Sequence, residues 1–165
     1  MRITDTHIFF WGTEYSNWYG CGFTHKDKYF NNSEQAFMWE KAKFFGDDEI
    51  AELILRTASP KDAKALGRKV RGFDDKKWAM VSYPIMIAVN VEKYLQNPRL
   101  REKLLATDDK VLVEASPYDK IWGIGLSEDD DRCLDEHQWQ GMNLLGKALM
   151  LVRKQLKQVE NERKN

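Results

Sequence analysis

Apolar positions along this chain recur mostly at helical spacing, with strand-like runs confined to short stretches. From Trp139 to Glu160, Leu144, Leu145, Ala148, Leu149, Val152 and Leu156 fall on one face, predicting a long final helix. From Asp74 to Leu95, a second long helix is built around Trp78, Val81, Ile85, Val89 and Tyr94, and Pro84 should kink or divide it. Asn31 or Asn32 can cap a helix that runs to Phe45 and stops at Gly46. Asp47–Thr57 is a further amphipathic stretch. Ser59-Pro60 opens a helix reaching Arg68, with proline at the first helical position, and Asn97-Pro98 opens another over Arg99–Ala106. His7–Trp11, the residues ending at Lys28–Phe30, and Val111–Ala115 read as strands, and Ile121–Gly125 as one more; Gly20 and Gly22 mark turns between the first two. The expected fold is a helix-rich α+β single domain, 1–165, with a small β-sheet.

Composition narrows the class of protein. At 165 residues with 42% hydrophobic positions, the chain can bury a core of its own. No apolar run approaches the roughly 18 residues of a membrane span. MRITDTHIFF lacks the apolar h-region of a signal peptide, and two cysteines, Cys21 and Cys133, are too few for a disulfide scaffold, so a cytoplasmic protein is expected. The balance of 26 basic against 26 acidic residues argues against a general electrostatic grip on nucleic acid, though not against recognition of one nucleotide in a pocket. The acidic run Glu128–Asp131 and the basic C-terminus from Arg153 to Lys164 read as solvated surface. His7, His25 and His137 have no metal-ligand spacing, so no metal is expected, nor any cofactor.

Two constellations carry chemistry. Glu34 and Lys41 are two turns apart on the first predicted helix, on nearly one face and about 10 Å apart along the axis, with Met38 between them. Asn31-x-x-Glu34 can equally be a capping box, and the Lys41 stem can lie on Phe37 or Phe45. The second constellation is LVEASPYDKIWGIG, residues 112–125, which sets Glu114, Asp119 and Trp122 among small-residue turns. That mixture suits a pocket that stacks on a flat ring and holds a polar group. Asp119 can instead serve the amides of its Ser-Pro turn, and Trp122 can be core. Arg68 can clamp a phosphate or be solvated, and free amides at Gly141-Met142-Asn143 can hold a phosphate at the start of the last helix.

NNSEQAFMWEKAKFFG at residues 31–46 and LVEASPYDKIWGIG together resemble the NADAR (YbiA-like) family, in a likeness running from Phe9 to about Leu156. The matching positions are Ser16-Asn17-Trp18, Ser33-Glu34, Lys41, Gly67-Arg68, Val113-Glu114, Asp119, Trp122-Gly123 and Asn143-Leu144-Leu145-Gly146. One departure matters: some members carry aspartate directly after Trp-Gly, where this chain has Ile124.

The resemblance implies cleavage of an N-glycosidic bond of a riboside. Glu34 would act as acid/base and Lys41 as nucleophile or positioning cation, with Glu114 and Asp119 also catalytic. Asn17, Trp18, Arg68, Trp122, Gly123 and Asn143 would bind substrate. It implies two substrate classes: a small phosphorylated riboside of the riboflavin pathway, or ADP-ribosylated guanine in nucleic acid. Ile124 inclines the reading to the second. The rivals are a module that binds ADP-ribose or a nucleotide without turnover, and a purely structural partner protein. Oligomeric state is not legible.

Overall fold

The computed structural model describes residues 1–165. Its elements are β1 (Arg2–Ile3), β2 (His7–Phe10), β3 (Phe23–His25), β4 (Lys28–Phe30), α1 (Ser33–Phe44), α2 (Asp48–Leu55), α3 (Pro60–Gly67), α4 (Asp75–Gln96), α5 (Pro98–Leu105), β5 (Val111–Glu114) and α6 (Leu144–Lys164). The helix-rich α+β organisation expected from the sequence is what forms. The residues gather into two compact units, one of residues 1–16 and 99–165, the other of residues 17–98. No helix is long and apolar enough to cross a membrane.

In the first unit β2 is the centre of a three-stranded sheet. It pairs antiparallel with β1 and parallel with β5, placing Phe10 opposite Glu114. Phe9, Val113, Ala115, Ile124, Leu126 and Cys133 form the core on this sheet. Ile121–Gly125, expected as a strand, is a loop. Its backbone makes only an isolated bond to the end of β5, from Ile124 N–H to Glu114 O, and is otherwise held from the loop before α6, where Gln140 N–H donates to Ile124 O. Helix α6 begins at Leu144, five residues later than the apolar pattern indicated, because residues 131–138 form two short 3₁₀ turns and the chain then returns to the 120–124 loop.

In the second unit the β3–β4 hairpin turns at Lys26 and Asp27, both in the left-handed region with φ 49° and 64°. Helix α4 continues through Pro84 without dividing. Helix α1 has nine of its twelve residues buried, among them Ser33, Glu34, Gln35 and Glu40. A helix buried on nearly all sides yet rich in polar groups must supply each with a partner. Glu40 Oε1 meets His25 Nε2 at 2.6 Å and Lys26 Nζ at 2.9 Å. Gln35, fully buried, donates from Nε2 to the carbonyls of Ile54 (2.9 Å) and Thr57 (2.5 Å) and accepts from Asn31 N–H (2.7 Å). One side chain thus ties together the start of α1, the end of α2 and the turn after it. Gln35→Leu would strand all three backbone groups and is expected to cost about 3 kcal/mol or more. Urea unfolding measures this, and an unchanged midpoint would mean that those groups find other partners.

Candidate functional site

The start of α1 decides what Glu34 is free to do. Asn32 is the N-cap, and its Oδ1 accepts from Gln35 N–H at 2.9 Å, while Gln35 reaches back to Asn31. The capping box expected between Asn31 and Glu34 is therefore displaced by one residue, to Asn32 and Gln35. The cap is made by the Asn32 and Gln35 side chains. Glu34 is buried, 8% exposed, and its N–H donates to Asn17 O at 3.0 Å.

Asn17 is held on the same helix start. Its Nδ2 donates to the Met86 thioether at 3.3 Å, and its Oδ1 accepts from Asn90 Nδ2 at 3.4 Å. Asn90 is fully buried on α4 and also donates to Met86 O. This amide pair holds Asn17, expected to bind substrate, where its carbonyl meets Glu34 N–H. Trp18 follows it, 44% exposed, with Lys64 Nζ 6.0 Å from its ring centre.

Lys41 is half-buried, with its Nζ 4.5 Å from the centre of the Phe73 ring. Burial pushes its ammonium below the ordinary lysine range; the Glu34 carboxylate opposes that shift and the Arg68 guanidinium adds to it. Glu34, Lys41 and Arg68 thus share one electrostatic neighbourhood. Arg68 reaches it because α3 ends against α1: a Cβ on Gly67 would run into Met38 Sδ, so only glycine allows that approach without displacing Met38. Arg68 itself is exposed.

In the first unit, Glu114 is half-buried at the end of β5. Asn143 holds it there from the left-handed region (φ 53°, ψ 38°): its Oδ1 accepts from Glu114 N–H and its Nδ2 donates to Leu112 O, both at 3.0 Å. The Asn143 amide, expected to bind substrate, makes both of these bonds at the strand edge. Of the amides expected to hold a phosphate at residues 141–143, those of Met142 and Asn143 are engaged within the fold. Met142, Asn143, Leu144 and Leu145 donate their N–H groups to the carbonyls of Lys120, Gly123, Ile121 and Trp122. Those amides are consumed inside the fold.

Asp119 uses Oδ1 to accept from Ile121 N–H (2.9 Å) and Trp122 N–H (2.8 Å), the turn role weighed in the sequence. Trp122 is half-buried. Gly123 is buried, and a Cβ there would lie 2.9 Å from both Asp119 O and Glu114 O, so it contributes close backbone packing. Ile124 is fully buried in the core, so the position that carries aspartate in some NADAR proteins is a packing position here.

Sequence reasoning missed Gln35, Asn90 and the fully buried Lys93, whose Nζ lies 5.2 Å from the Tyr94 ring centre and 5.9 Å from that of Tyr19. Asn32-x-x-Gln35 was the available signal for Gln35; Asn90 and Lys93 carried none. A groove of about 470 Å³ between α1 and α4 is lined by Lys26, Glu40, Lys43, Phe44, Val81, Pro84 and Ile85. It contains no residue of either constellation, and its lysines are paired with Glu40 and Asp48, so volume is a poorer guide to the chemistry here than the Glu34–Lys41 neighbourhood. No three His, Cys, Asp or Glu side chains converge as metal ligands.

A family model described as the NADAR domain matches residues 9–157. Protein irg-1 of Caenorhabditis elegans is 46% identical over 77% of this chain, and the match spans 61% of the worm protein's length. N-glycosidase R617 of Acanthamoeba polyphaga mimivirus is 37% identical over 94% of this chain and 99% of its own. The NMR structure of the E. coli protein YbiA is similar with a TM-score of 0.79 and 30% identity, covering 98% of this chain and 90% of that one.

Proposed function

The chain belongs to the NADAR family, and from that premise we propose that it is an N-glycosidase cleaving the C–N bond between ribose and a base-like nitrogen. The observation that carries this reading is the placement of Glu34 and Lys41 on one helix, α1, where the Glu34 carboxylate and the Arg68 guanidinium both act on the Lys41 ammonium. A relative of nearly the same length that bears the name N-glycosidase supports it.

The bond-breaking step leaves positive charge at the ribose anomeric carbon. A buried carboxylate beside that carbon stabilises the charge or takes a proton from attacking water. Water then supplies its oxygen to the carbon, and the base leaves with a proton. A neutral lysine offers a second route: the amine attacks the anomeric carbon, the C–N bond to the base breaks, and ring opening gives a Schiff base that water hydrolyses. The depressed Lys41 ammonium favours this route, because the neutral amine then exists at lower pH than for a free lysine. Arg68 supplies a cation for a phosphate on the ribose.

The sign of the pH dependence follows. The attacking form is the neutral amine, so turnover should climb with pH and level off before the ordinary lysine range of about 10.4 is reached. Borohydride added during turnover should leave a ribose-derived adduct on Lys41, read by peptide mass spectrometry. A flat profile and no adduct would leave Glu34-activated water as the route.

The substrate we favour is ADP-ribosylated guanine in nucleic acid, because Ile124 removes the aspartate that some members carry and buries an alkyl group there instead. Incubation with a guanine-ADP-ribosylated oligonucleotide, followed by mass spectrometry, should release free ADP-ribose. If the oligonucleotide survives while a phosphorylated ribosylamino-pyrimidine of the riboflavin pathway is cleaved, the substrate is the small riboside. Binding without turnover of either would make the chain a nucleotide-binding module.

A further inference from the structure

Tyr118 and Trp11 form an aromatic pair at the surface of the first unit, and nothing in the proposed reaction uses them. Their ring centres are 5.8 Å apart and the rings are tilted by 55°. Tyr118 is 83% exposed and Trp11 52% exposed. Trp11 directly follows β2, and Tyr118 follows β5 by four residues, so both stand at the carboxyl ends of two parallel strands. That end of a parallel pair is where loops receive ligands in open sheets.

The turn carrying Tyr118 is prebuilt. Ser116 Oγ accepts from Tyr118 N–H (3.2 Å) and Asp119 N–H (3.1 Å), and Asp119 in turn holds Ile121 and Trp122. An exposed ring on a turn whose amides are satisfied loses little freedom when a flat partner lands on it. The loops nearby also expose Ile121 and Met142, 57% and 56%. Four apolar side chains fall far short of the roughly 20–30 residues a side of a standard protein interface. They match the footprint of one planar ring instead. The exposed Lys120, two residues beyond Tyr118, adds a cation of the kind that accompanies base stacking.

We propose that Trp11 and Tyr118 form a stacking platform for a nucleobase. The base can come from a mononucleotide moiety or from a single-stranded oligonucleotide.

The test is NMR on the full-length ¹⁵N-labelled protein. The Trp11 indole N–H resonance, assigned by its loss in Trp11→Phe, is followed during titration with AMP, ribose 5-phosphate and a short single-stranded oligonucleotide. It should move with AMP or the oligonucleotide and stay fixed with ribose 5-phosphate. Tyr118→Ala should weaken the response about tenfold, Tyr118→Phe should retain it, and Tyr29→Ala, which alters an exposed tyrosine of the other unit, should not affect it. Equal response to AMP and oligonucleotide identifies a single base as the ligand, and response to the oligonucleotide alone identifies a strand. A fixed resonance with both, or one that ribose 5-phosphate moves equally, overturns the platform. The readout does not depend on turnover, so the N-glycosidase reading stands or falls separately.

Discussion

Glu34→Gln is expected to lower turnover by about 10²–10⁴-fold, the range of a positioned acid or base, with the fold retained. The fold should survive because the helix cap runs through Asn32 and Gln35, and because glutamine keeps the shape of the buried side chain. The chemistry should not survive, because a neutral amide neither stabilises charge at the anomeric carbon nor accepts a proton from water. The substitution also acts on Lys41. The Glu34 carboxylate opposes the downward shift of that ammonium, so removing it should let Lys41 titrate at still lower pH. Arg68→Ala removes a cation that pushes the same way as burial and should shift Lys41 back up. Lysine-directed labelling of Lys41 against pH reads both shifts without needing substrate. Lys41→Ala should match Glu34→Gln in lost turnover if the amine is the nucleophile, and lose less if it only positions substrate. Full rates in both variants would remove the assignment.

Much of what positions Glu34 and Lys41 is legible in the sequence because helix signals are local. Asn32, Gly46 and Ser59-Pro60 each mark a boundary through their own backbone chemistry, and the structure places caps or stops at all three. Glu34 and Lys41 fall on one helix for the same reason. The exact cap is not legible, since Asn31-Asn32 and Glu34-Gln35 offer two registers of one pattern. The choice is made by Gln35, whose amide also satisfies the carbonyls of Ile54 and Thr57 some twenty residues away.

The region from Lys120 to Asn143 misleads a sequence reading because its order is nonlocal. The apolar residues Ile121, Trp122 and Ile124 look like a strand, yet Ile121 is exposed and Ile124 is core. Their carbonyls are paired with the N–H groups of residues 140–145, which no short-range periodicity announces. Asn143 stands out through family resemblance, and the residue proves important for a different reason: it acts as an extra rung on β5, beside Glu114.

That rung makes Gly146 a position where an added side chain should cost stability in spite of its helical setting. Gly146 lies in the first turn of α6, where alanine normally favours a helix by about 1 kcal/mol over glycine. Here a Cβ would overlap Leu112 O and stand 2.5 Å from Asn143 Nδ2. The first is backbone of the central parallel pair and the second is already bonded to Leu112 O, so neither can yield without opening the strand edge. Overpacking against atoms that cannot move costs about 3 kcal/mol, which exceeds the propensity gain and sets the sign. Gly146→Ala is therefore expected to lose about 2 kcal/mol or more in urea unfolding. Gly20→Ala is the contrast, because a Cβ at that position would meet nothing within 4 Å, and it should fall near neutral or slightly stabilising. Asn143→Ala, which leaves Glu114 N–H and Leu112 O without their side-chain partner, should lose about 2 kcal/mol without any added bulk. If Gly146→Ala unfolds at the wild-type midpoint, the close approach of α6 to β5 is absent in solution, and the placing of Glu114 by Asn143 fails with it.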